Sequence, residues 1–163
     1  MSLGFRIDET MTGHHTFDSD FKLIDPYFPR RKLFMEYHIT WGPDDILKWL
    51  NPLGDEFMTQ PLKGYITVEG LCKNCPCEGT LTLAYHRGEI CYDIRFEYNG
   101  RRFHYVGKKT NIRPWNLLIS HTTCRGTTTL KTLFRDWEIS RSTVNFKLSS
   151  LWDFVKSFRF VNV

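Results

Sequence analysis

Long apolar runs are missing from this chain. No stretch approaches the ~20 consecutive apolar residues that cross a bilayer as a helix, and the N-terminus has no charged segment followed by an apolar run of about 7–15 residues. A membrane span and a secretory signal are therefore both unexpected. Also absent are a Gly-rich phosphate loop, a nucleophile elbow and a dinucleotide fingerprint, so no familiar catalytic or cofactor motif is available. Charge of one sign is never gathered into a block: 22 basic and 18 acidic residues leave a net charge of +4, spread along the chain. A nucleic-acid partner is not required by such a balance. Cysteine is sparse and odd in number, and three of the five crowd into Cys72, Cys75 and Cys77. That is unlike the even, distributed framework of a small secreted protein, and it points to a reduced, cytoplasmic chain.

What is present is β-pattern and aromatic mass. A chain of 163 residues reads as one domain spanning 1–163, long enough to bury roughly two thirds of its unfolded surface without a covalent staple. It carries 13 Phe, 7 Tyr and 5 Trp, rigid side chains that can fill a core or line a cavity. Residues 78–109 read as three antiparallel strands. Asn99-Gly100 is a dipeptide that tolerates positive φ at both turn positions, and apolar residues alternate on each side of it. Counting outward pairs Tyr98 with Arg101, Phe96 with Phe103 and Ile94 with Tyr105 on an apolar face, and Glu97 with Arg102 and Arg95 with His104 on the charged one. Treating Arg87-Gly88 as a two-residue loop pairs Ile90 with Tyr85, Tyr92 with Leu83 and Ile94 with Leu81, and sets Cys91 opposite Ala84.

Elsewhere, residues 4–17 can form a first strand, and 18–31, with Pro26 and Pro29, read as a loop. Residues 32–41 alternate Leu33, Met35, Tyr37, Ile39 and Trp41 against a polar face. Gly42-Pro43-Asp44-Asp45 opens a short helix over Ile46 to Leu50, expected to run two turns. Strands follow at 62–71, 117–124, 127–134 and 137–148, with Arg125-Gly126 as a break and the loss of period near Ser140 marking a turn or bulge. A helix opened by Ser149 or Ser150 carries Leu151, Phe154, Val155 and Phe158 on one stripe, and Phe160-Val161 ends the chain as a strand. The expected fold is all-β with two short helices: an antiparallel, lipocalin-like barrel or strongly curled sheet of about 8–9 strands, since closure removes exposed edges.

Chemical constellations are few. Cys72, Cys75 and Cys77 have the close spacing of a zinc or dithiol site at a turn, but Cys91 lies roughly 20 Å up the expected ladder and cannot supply a further ligand. A zinc-assisted interaction module is one alternative, and a turn with ordinary thiols is the other. His38, His86, His104 and His121 sit singly, and a barrel could bring one beside Asp or Glu as a proton-transfer pair acting on a lipid-like substrate. The leading expectation is a non-catalytic barrel that binds a small apolar, lipid- or sterol-like molecule or docks on a redox enzyme. Tyr65, Tyr92, Phe96, Phe103 and Tyr105 are its expected lining, and no cofactor is called for.

Several landmarks recur in a familiar order. They are Met35 to Thr40 leading into Asp44-Asp45-Ile46-Leu47-Lys48-Trp49-Leu50, then Leu62-Lys63-Gly64-Tyr65-Ile66-Thr67-Val68, then Tyr92 to Gly107 with Gly100 and Tyr105. Thr127-Thr128-Thr129-Leu130 and a closing segment from Leu148 to Val161 complete the set. Over residues 33–161 this order resembles the small β-rich module found with cholesterol-oxidase-like flavoproteins of the glucose-methanol-choline type. The resemblance implies an accessory or stand-alone module whose partner would be a flavin-dependent oxidoreductase. The flavin fingerprint is absent, and no metal site or catalytic residue is implied.

Overall fold

The computed structural model describes residues 1–18, 32–113 and 123–163. Its strands are β1 (Leu3–Phe17), β2 (Leu33–Trp41), β3 (Thr59–Val68), β4 (Cys72–Ala84), β5 (Glu89–Tyr98), β6 (Arg101–Lys109), β7 (Thr123–Lys131), β8 (Trp137–Phe146) and β9 (Arg159–Asn162), with helices α1 (Ile46–Trp49) and α2 (Leu151–Ser157). β2 through β8 are laddered in chain order, and β1 pairs with both β8 and β2. All pairings are antiparallel, so eight strands close into a barrel. β9 pairs with Leu3 to Arg6 of β1, beyond the point at which β8 leaves it. No helix among the described residues is long and apolar enough to cross a membrane.

Alternation decides which residues fill the interior. On β2, Leu33, Met35, Tyr37, Ile39 and Trp41 are all buried, with less buried residues between them, as a strand with one face in the core must be. The β5–β6 hairpin has the expected register, from Tyr98 with Arg101 to Ile94 with Tyr105. At its tip Asn99 and Gly100 adopt φ of 51° and 71°. The preceding hairpin differs: Ile90 pairs with Leu83, Tyr92 with Leu81 and Ile94 with Gly79, a two-residue slip from the expected register. The turn is longer than two residues, because Tyr85–Arg87 forms a 3-10 turn that ends on left-handed Gly88. A slip of two keeps every side chain on its face, so the apolar side stays inside and Cys91 now faces Thr82.

Other expectations are adjusted for local reasons. α1 is one turn rather than two, capped by the Asp45 carboxylate on the amides of Leu47 and Lys48. Cys72, Cys75 and Cys77 lie within β4 and not in a loop. Arg125-Gly126 does not break the chain, since β7 runs straight through it. The irregularity expected near Ser140 is present as a register shift opposite Thr128/Thr129, which lets both Ile139 and Ser140 be buried. The loop expected at 18–31 and the strand expected at 117–124 fall largely outside the described residues.

Interior volume is balanced between large and small side chains. The Tyr105 ring lies over paired Gly107 and Gly126, so that a Cβ added to Gly126 would meet the ring at 2.3 Å. Gly126→Ala is expected to destabilise the fold by about 1–3 kcal/mol through overpacking, read by chemical denaturation; an unchanged midpoint would show that Tyr105 can move aside. His15 is buried, with Nδ1 3.0 Å from Ser140 Oγ and Nε2 2.9 Å from the Glu69 carbonyl. The carbonyl requires Nε2–H to donate, so in the neutral ring Nδ1 accepts from Ser140. Burial lowers the His15 pKa. The unfolded chain then binds the proton more readily, and stability is lost as pH falls through about 6.5. The denaturation midpoint should drop between about pH 7 and pH 5, and less steeply in His15→Gln; equal slopes would place the titration elsewhere.

Candidate functional site

The inward positions of four strands bring together two charges and two aromatic donors. Glu9 on β1 and Lys109 on β6 are each only 6% exposed. Lys109 Nζ donates to Glu9 Oε1 at 2.7 Å. Tyr92 Oη on β5 donates across both carboxylate oxygens at 3.0 and 3.1 Å, and Trp41 Nε1 on β2 donates to Oε2 at 3.1 Å. The Lys109 ammonium also lies 5.1 Å from the centre of the Tyr92 ring, a cation–π contact strengthened by desolvation. Burial and the neighbouring Glu9 charge push the Tyr92 phenol well above its ordinary pKa, which keeps its proton available to the carboxylate. A buried pair of this kind survives only because hydrogen bonds repay the desolvation of both ions.

Beside this cluster is a cavity of about 250 Å³, partly open to the surface at Tyr85. Its walls are Trp41, Leu81, Leu83, Ile90, Phe146 and Phe154, and Glu9, Tyr92 and Lys109 form a polar end. Leu151 and Phe154 of α2 line one side of the cavity. Phe154 packs edge-on against Phe146 with centroids 5.3 Å apart, and the helix is tied to β1 through Ser157 Oγ, which accepts from the Asp8 amide at 2.9 Å. Arg159 just beyond it pairs with Asp8 at 3.1 Å. A larger, more open hollow of about 990 Å³ is bordered by Tyr65, Phe96 and Phe103 together with Lys63 and Arg95, and another of about 1,000 Å³ by Glu36, Lys73 and Arg101.

The expected lining residues divide four ways. Tyr92 reaches the cavity. Tyr105 lies deeper, its ring centre 5.7 Å from that of Tyr37 and its hydroxyl 3.7 Å from Cys124 Sγ. Phe96 and Phe103 stack at 5.2 Å, are buried, and border the hollow of about 990 Å³ and not the cavity beside Glu9. Tyr65 is 55% exposed on the outer wall, because Leu62, Gly64 and Ile66 hold the inward positions of β3, and it borders the hollow of about 990 Å³ there. The two charged residues were missed, although a signal existed. Glu9 follows Phe5 and Ile7 and precedes Met11, and Lys109 follows Phe103, Tyr105 and Gly107, each a charge at an inward position of an alternating strand.

The remaining candidates fall apart spatially. His104 meets Asp93 at 2.9 Å and His38 meets Glu36 at 2.7 Å, but these residues alternate with the inward set and face outward, and no histidine borders the cavity described above. Cys72, Cys75 and Cys77 are buried, and desolvation pushes the Cys72 and Cys77 thiols up to about 12. Cys72 and Cys75 donate weakly to the carbonyls of Ile66 and Lys73. Among the described residues, no three His, Cys, Asp or Glu side chains are grouped to hold a metal ion.

No family model matches the chain. No curated protein and no solved structure shows significant similarity to it either.

Thiol chemistry checks the burial of the cysteines. Cys91 is the one cysteine of the five that is not buried. With Ellman's reagent near pH 8 it should react first, the other four only on unfolding, since the thiolate is the reactive form. Equal rates for Cys77 and Cys91 would contradict the inward placement of β4.

Proposed function

We propose that this chain is a non-catalytic β-barrel that binds a small, mainly apolar molecule in the cavity beneath α2. The observation that carries this reading is a partly open pocket with apolar walls on one side and one organised polar cluster on the other, the usual composition of a small-molecule site. Its volume of about 250 Å³ is below the roughly 300–1,000 Å³ of sites for drug-sized ligands. That favours a medium-chain or single-ring molecule over a sterol skeleton. Each methylene taken from water into such walls contributes about 0.8 kcal/mol. The outward direction of both histidine–carboxylate pairs favours binding over proton-transfer chemistry. Docking on a flavin-dependent oxidoreductase rests on the order of sequence landmarks alone, and the described surface adds no support to it.

The reading is tested by filling the cavity. Leu83 is buried and borders it, so Leu83→Trp places an indole in the ligand's space. Calorimetric titration with a medium-chain methyl ketone, 2-octanone, should show binding to the unmodified protein and at least about tenfold weaker binding to Leu83→Trp. Absence of binding to the unmodified protein, or equal binding to both, would overturn the reading.

A further inference from the structure

We infer that the ligand of this cavity is electrically neutral and carries a hydrogen-bond acceptor oxygen, as in a ketone, ester or amide, which docks on Lys109, and that carboxylates are refused. The inference rests on the cavity reading above. An ammonium has three N–H donors, and among the described residues Glu9 Oε1 is the one hydrogen-bond acceptor for Lys109. The Tyr92 ring covers part of the remaining surface of the ammonium, which leaves donor capacity at the polar end of an otherwise apolar space. Glu9, by contrast, is saturated by Lys109, Tyr92 and Trp41.

The same geometry sets the charge the site accepts. Glu9 neutralises Lys109, so the buried cluster has no net charge to offer an anion. A ligand carboxylate would face Glu9 across one shared ammonium, and two carboxylates cannot both stay ionised and desolvated against a single cation. A neutral oxygen takes the spare donor and leaves the ion pair in place. Glu9 thus acts as a selectivity element that sets the electrical preference of the site without itself needing a ligand contact.

The test compares 2-octanone with octanoate, which share a chain length and differ in charge, by calorimetric titration near pH 7.5. The unmodified protein should bind 2-octanone at least about tenfold more tightly than octanoate, and Glu9→Gln, which leaves Lys109 as an unbalanced cation, should reverse that order. Since Glu9→Gln can fail to fold, Glu9→Gln/Lys109→Met removes both charges together. It should keep the barrel by circular dichroism and bind 2-octanone about tenfold more weakly than the unmodified protein, with octanoate still refused. Equal binding of the two probes, a preference for octanoate in the unmodified protein, or undiminished ketone affinity in the double variant would overturn the inference and leave the cavity reading standing. Binding of neither probe to the unmodified protein would remove the cavity reading and the inference with it.

Discussion

The barrel depends on one strand being hydrogen-bonded along both edges. β1 pairs through Ile7 to His15 with β2 and through Met11 to Phe17 with β8. Without that double pairing the sheet would be an open ribbon with two long unpaired edges, each a template for association. Closure also creates an inside, and everything of chemical interest follows from which residues are forced into it. Glu9 is one of them. Its carboxylate meets a donor on the adjacent β2 and reaches across the lumen to donors on β5 and β6, so the strand that closes the barrel is also cross-linked to the opposite wall by charge and hydrogen bonds. Removing one partner of such a pair leaves an uncompensated buried ion, at a cost of about 3–5 kcal/mol.

Packing grades along the barrel axis. At the end away from α2, Phe96 and Phe103 stack, and nearer the middle Tyr37 packs against Tyr92 and Tyr105, whose ring lies over Gly107 and Gly126. The Tyr37 hydroxyl is buried beside Tyr105 and Cys124 with no hydrogen-bond partner of ordinary geometry. Burial pushes all three phenols well above their usual pKa, so they stay protonated. Toward α2 the filling stops, and the gap between Leu81, Leu83, Phe146 and Phe154 is bounded by the one ion pair inside the barrel among the described residues. An apolar gap of this kind costs dispersion contacts in the empty protein, a cost that a bound ligand recovers.

Local pattern made much of this legible. Period-two alternation marked β2, β5 and β6, and Asn99-Gly100 set the hairpin register to the residue, because a type-specific turn admits few alternatives. The Arg87-Gly88 hairpin was misregistered by two residues, because Gly88 closes a 3-10 turn and turn length is not written in the dipeptide. The cysteine-rich segment read as a loop, yet β3 supplies a partner that draws it into the sheet, where Cys72, Cys75 and Cys77 behave as small apolar side chains.

Local sequence was enough for the all-β class, the inward faces of β2, β5 and β6 and the position of the two short helices, because those follow from alternation, turn chemistry and capping within a few residues. Tertiary structure alone decided that Tyr65 faces outward, that Glu9 and Lys109, a hundred residues apart, form one ion pair, and that a cavity remains beneath α2. Such facts depend on which strands become neighbours across the lumen and on how their side-chain volumes add up. No local stretch of the chain encodes that sum.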